Sequence, residues 1–140
     1  MNGHITYNDT KRSSQGMVDI DVSFLTNGTS DPAVADMRGG PATDGSGGTT
    51  VQSITRTGVG AFLVTLIASC RYVTRAFAQI DDAADQHMAR CGAISNEGTG
   101  AGGTPITVVV QVRDEAGTAA ETTGRRIGVS LACKVSGNGT

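Results

Sequence analysis

The chain has 140 residues, a formal net charge of −2, 17% charged residues and 4% aromatic residues with no Trp. One domain is expected at this length, with roughly two-thirds of the unfolded surface buried around a small aliphatic core. Its basic residues are scattered, with Lys11-Arg12 and Arg125-Arg126 the only adjacent pairs, so no nucleic-acid partner is expected, because phosphate binding needs concentrated Lys and Arg.

Residues 1–16 are polar and aperiodic, and read as an extended N-terminal arm ordered only by a neighbouring surface. Tyr7, Lys11 and Arg12 on this arm are candidate assembly contacts. Residues 17–140 read as a single β domain. Met17 to Leu25 alternates Val18, Ile20, Val22 and Phe24 with Asp19, Asp21 and Ser23, which predicts a strand with one buried face. Asn27-Gly28-Thr29-Ser30-Asp31-Pro32 ends it with turn chemistry. Ala33 to Thr50 is a long loop rich in Gly, Ser, Thr and Pro, closing at most one helical turn at Ala33–Met37. Loops this long inside a compact domain tend to be functional or ordered by a partner, which makes Arg38 and Pro41 further candidate contacts.

Ser53 to Leu66 predicts a hairpin across Gly58-Val59-Gly60, since glycines take the positive φ of a tight turn without a Cβ clash. After the turn, Phe62, Val64 and Leu66 share one face, with Leu63, Thr65 and Ile67 on the other. Arg71 to Ile80 reads as a strand with Tyr72, Thr74, Ala76, Ala78 and Ile80 opposite Val73, Arg75, Phe77 and Gln79. An acidic turn at Asp81-Asp82-Ala83-Ala84-Asp85, a strand at His87–Ser95 and a glycine-rich loop at Asn96–Gly103 follow. Ile106 to Val112 is apolar or β-branched at nearly every position, as in a strand covered on both faces. Asp114 to Gly124 is a polar hairpin connection, with Arg125-Arg126 just before a closing strand that alternates Ile127, Val129, Leu131 and Cys133. The fold class expected is all-β: an antiparallel sandwich or barrel of about seven to eight short strands.

The chemistry-bearing residues are sparse. Asp81, Asp82 and Asp85, with Glu97, offer hard oxygens for calcium, but without the spacing of a calcium loop they read as solvated turn carboxylates. Asp19 and Asp21 share a strand face, where paired carboxylates serve acid–base work; a charged edge or interface is the preferred reading, as no aromatic pocket accompanies them. Asp114, Glu115 and Glu121 read as charge that keeps a connection in water. Arg125 and Arg126 either pair with these carboxylates or meet an acidic neighbour in an assembly. Arg38-Gly39-Gly40 is one isolated copy of an RNA-binding tripeptide, too little for that function. With no G-x-S-x-G, H-E-x-x-H or phosphate-loop motif, catalysis is not expected, nor is a cofactor.

Cys70, Cys91 and Cys133 are odd in number and are expected as buried free thiols in a reducing cytoplasm. His87 and Cys91 stand four apart but lack a second ligand pair, so no metal is expected. The longest apolar run, Ala61–Ala68, is broken by Thr65 and falls far short of the ~20 residues of a membrane helix. Met1-Asn2-Gly3-His4 does not open an export signal, so the sequons at Asn8, Asn27 and Asn138 are expected to be coincidental.

The order of these patterns resembles small virion structural proteins of tailed bacteriophages. The likeness rests on Phe24-Leu25-Thr26-Asn27-Gly28, the loop through Pro32 and Gly39, and the stretch from Ser53 through Gly58, Gly60 and Phe62 to Leu66. It continues through Ile106–Val112, the Asp114–Glu121 connection and Ile127–Leu131. The resemblance implies a capsid decoration (cement) protein on the exterior of the virion, made in the bacterial cytoplasm. Its implied partners are the major capsid protein and copies of itself, a homotrimer being favoured. A tail-tube or head–tail connection subunit is the alternative. A carbohydrate-binding β-sandwich is a third, weakened by having only Tyr7, Tyr72 and no Trp to stack on sugars.

Overall fold

The computed structural model describes residues 17–39, 51–67, 70–82, 84, 86–98 and 104–135. These form strands β1 (Met17–Asn27), β2 (Val51–Gly58), β3 (Ala61–Leu66), β4 (Cys70–Ile80), β5 (His87–Ser95), β6 (Thr107–Asp114) and β7 (Thr123–Val135). A three-stranded sheet has the order β1-β7-β4 and a four-stranded sheet the order β2-β3-β6-β5, with antiparallel pairing throughout. The arrangement is sandwich-like, and its one described helical turn, Val34–Asp36, falls where a single turn is expected. The chain changes sheet after β1, β3, β4 and β6, so the last strand enters between the first and the fourth.

Alternation explains the core. Ile20, Val22 and Phe24 of β1 and Ile127, Val129, Leu131 and Cys133 of β7 turn inward from one sheet. Phe62, Val64 and Leu66 of β3 and Val108, Val110 and Val112 of β6 meet them from the other. The rings of Phe24 and Phe62 lie 5.1 Å apart at 58°, a tilted contact within the favourable range for aromatic pairs. Where the β1–β7 register shifts between Leu25 and Asn27, the buried Thr26 hydroxyl accepts the Arg125 amide at 3.0 Å. An amide left over by the irregularity is thereby satisfied.

Four details differ from the sequence expectation. In the β2–β3 turn only Gly60 takes positive φ (+60°), and Gly58 sits at a register shift instead. A Cβ on Gly60 would come within 2.6 Å of the carbonyl oxygens of Val112 and Ala120, so this position is closed to other residues twice over. In β4 a bulge between Val73 and Arg75 inserts Thr74, which changes the parity of the strand. Tyr72, Arg75, Phe77 and Gln79 consequently share the outer face, while Val73, Ala76, Ala78 and Ile80 face inward. Strand β6 is buried on one face only, since Thr107, Val109 and Gln111 are half-exposed. Finally, the connection after β6 first turns back on that strand, with an antiparallel bridge between Arg113 and Ala119 and the Ala120 amide donating to the Val112 carbonyl at 3.0 Å, and then carries the chain to the other sheet, while Arg125 and Arg126 belong to β7 itself.

Candidate assembly surface

The outer face of the three-stranded sheet has a definite relief. Three successive rows, read across β1, β7 and β4, are Asp19–Ala132–Arg75, Asp21–Ser130–Phe77 and Ser23–Gly128–Gln79, beyond which Lys134 stands between Met17 and Tyr72. The central strand therefore presents small side chains between longer ones on both flanks. A trough along β7 is the geometric result. Two adjoining hollows of about 450 and 330 Å³ lie along it and share Ser23 and Gly128. The first is lined also by Gln79, Asp81 and Arg126, the second by Asp21, Arg38 and Ser130.

Charges of both signs wall this trough. Asp19 and Arg75 approach to 3.8 Å across the sheet, on either side of Ala132, which is buried beneath the row. Both side chains are well exposed, so the pair adds little stability. The Ser130 hydroxyl donates to Asp21 at 2.8 Å. Arg126 donates to the Ser23 hydroxyl at 3.0 Å and the Asp36 carbonyl at 3.3 Å, which ties the loop after β1 onto the sheet. Phe77 stands 59% exposed on the β4 flank, an uncommon cost for a large aromatic ring.

The loop after β1 forms one wall through its backbone. Ser23 N–H donates to the Arg38 carbonyl at 2.8 Å, and Arg38 N–H donates back to Ser23 at 2.9 Å. Gly39 then passes so close, at φ +76°, that a Cβ would lie 2.1 Å from the Asp21 carbonyl oxygen. Arg38-Gly39 is thus explained by this strand contact.

Other sheet edges are covered by single groups. Asp31 accepts the Arg56 amide of β2 at 2.7 Å, and Glu97 accepts the Val73 amide of β4 at 2.8 Å. Such caps blunt edges that would otherwise pair with other chains. On β5 the outward Met88 is 69% exposed.

Arg38 and Arg126 line the two adjoining hollows of the trough, joined by Asp21, while Asp19 stands in the next row beside Arg75 and Arg125 is exposed. Tyr7, Lys11, Arg12 and Pro41 lie outside the described residues, as does Asp85. Arg126 does not pair with the connection carboxylates; Glu121 instead forms a two-pronged ion pair with Arg56 and accepts the Gly60 amide at 3.4 Å. The Arg56 guanidinium holds the Glu121 carboxyl below its usual range, although partial burial opposes it.

Asp82 also departs from the expected solvated turn. Its carboxylate is buried and accepts from His87 Nδ1 at 2.5 Å and from the Ala84 amide at 3.1 Å. The His87 hydrogen bond lowers the Asp82 pKa against the opposing effect of burial. His87 also borders an open hollow of about 270 Å³ with Asp114 and Glu115. No group of three or more His, Cys, Asp or Glu among the described residues is placed to hold a metal ion. Among the same residues no helix is long and apolar enough to cross a membrane. The sequence shows His87 five positions after Asp82, a spacing that hints at this pair; Arg56 and Glu121, 65 apart, carry no local signal.

No family model, curated protein or solved structure matches this chain.

Proposed function

We propose that this chain is a structural protein of a tailed-bacteriophage virion, a decoration protein that binds the major capsid protein lattice from outside and stabilises the head. The reading requires no catalysis, cofactor, nucleic acid or membrane. The observation that carries it is the trough along β7, with small residues on its floor and charges of both signs on its walls. A relief of this kind suits an extended polar segment of a neighbouring subunit, held by hydrogen bonds and paired charges.

A shallow, wet trough binds weakly by itself. On a symmetric shell that weakness is corrected by multivalency: a homotrimer presents three copies at once, and the second and third contacts form at high effective concentration. Purified protein added to capsids of the source phage made without it should pellet with them to saturation and raise the temperature at which the shell melts. Absence of binding, with virions lacking the chain as heat-stable as complete ones, would refute the proposal.

The position of β5 at the end of the four-stranded sheet favours a second reading, a tail-tube subunit whose sheet continues from copy to copy. Strand β6 has β3 and β5 on its two sides and is not available for such pairing. Labelling of the chain in whole virions distinguishes the two, because a tube subunit marks the tail alone.

A further inference from the structure

Cys70 and Cys133 are buried free thiols, as expected, whereas Cys91 is only half-buried. Cys70, at the start of β4, and Cys133, near the end of β7, bring their sulfurs to 3.0 Å. Both are almost wholly buried, at 1% and 0% exposure, in the core of the three-stranded sheet. Their strands are paired, and a register shift between Cys70 and Tyr72 swings the first cysteine toward the second. A disulfide needs sulfurs about 2.05 Å apart, so closure brings the two about 1 Å nearer. Cys91 belongs to the other sheet, on β5, and is half-buried.

We propose that Cys70 and Cys133 form an intramolecular disulfide under oxidising conditions, a covalent tie between β4 and the last strand, with Cys91 remaining a thiol.

Either sulfur can donate in this contact, and the two are equally placed to begin the exchange. With a small-molecule disulfide such as oxidised glutathione as oxidant, one cysteine thiolate attacks one sulfur, and the first glutathione leaves as a thiolate. The second cysteine then gives up its proton, its sulfur attacks that of the first, and the second glutathione leaves. Two electrons pass from the protein thiols to the oxidant, and both protein protons end on the two glutathione thiols. Since the folded core shields both sulfurs, the step is fastest during folding or when the end of the sheet opens.

The test uses the full chain carrying Cys91→Ser, which removes the third thiol, refolded in oxidised or in reduced glutathione. Under oxidised glutathione the thiol titre in denaturant should fall from two to none in the monomer, and digestion should yield one peptide pair joining Cys70 to Cys133. The tie spans residues 63 apart in sequence, so Tm should rise on the order of 10 °C over the reduced form. Two titratable thiols after oxidative refolding would overturn the proposal. A mixed disulfide with glutathione left at either cysteine, or a disulfide-linked dimer, would do the same. Wild-type protein treated in parallel should retain one thiol, at Cys91; loss of all three thiols there would contradict the assignment of the pair.

Discussion

Gly60 carries a constraint that its neighbours in the hairpin do not. Its φ of +60° places it in the left-handed region, and the space a Cβ would need is taken by two backbone oxygens that cannot move aside cheaply. Gly60→Ala should therefore destabilise the fold by about 2 kcal/mol or more, measured by urea denaturation. Glu121 and Asp82 act through charge. Each titrates lower in the folded chain than in the unfolded one, because Arg56 and His87 hold the charged forms. The unfolded chain therefore binds protons first as pH falls. Stability from these pairs is complete above the unfolded values of about 4.3 for Glu and 3.9 for Asp, and is lost as the pH drops through the lower folded values. Glu121→Gln should lower stability at neutral pH and flatten its decline between about pH 5 and pH 3. A decline as steep as that of the wild type in the mutant would show that the Arg56 pair does not contribute.

At the level of single strands, alternation was a reliable guide wherever one face meets the core and the ladder is regular. Val18 to Phe24, Phe62 to Leu66 and Ile127 to Cys133 face as their period-two patterns predict. The pattern failed where a local irregularity resets it: one extra residue at Thr74 turned Tyr72 to the face of Arg75 and Phe77. It failed at β6 because β-branched residues suit a half-covered strand as well as a fully covered one, so composition does not separate the two. Of the candidate surface, Asp19 and Asp21 were legible as a charged face. The small-residue column of Gly128, Ser130 and Ala132 was visible only as gaps between apolar residues, and its meaning depends on which strands flank β7. That is a fact of topology that no local pattern encodes. Phe62, which joins the sheets through Phe24, provides the test of the packing: Phe62→Ala should cost about 3–5 kcal/mol, read by the same denaturation.

For the molecule as a whole, the division of labour between its two surfaces of β7 follows from one alternation. Inward residues build the core, and outward residues form the floor of a trough between charged walls. Gly128 allows the two to be separated experimentally, since a Cβ there meets no heavy atom within 4 Å. Gly128→Leu should fill the trough and leave stability within about 1 kcal/mol of wild type, because no buried group is disturbed. Its binding to capsids should nevertheless be lost, whereas an inert trough predicts wild-type binding. The most direct measurement is a map of the assembled virion at side-chain resolution. The proposed role predicts this chain on the outside of the head, with a segment of the major capsid protein lying along β7 over Gly128 and Ser130. A chain confined to the tail, or one on the head with that trough open to solvent, would contradict it.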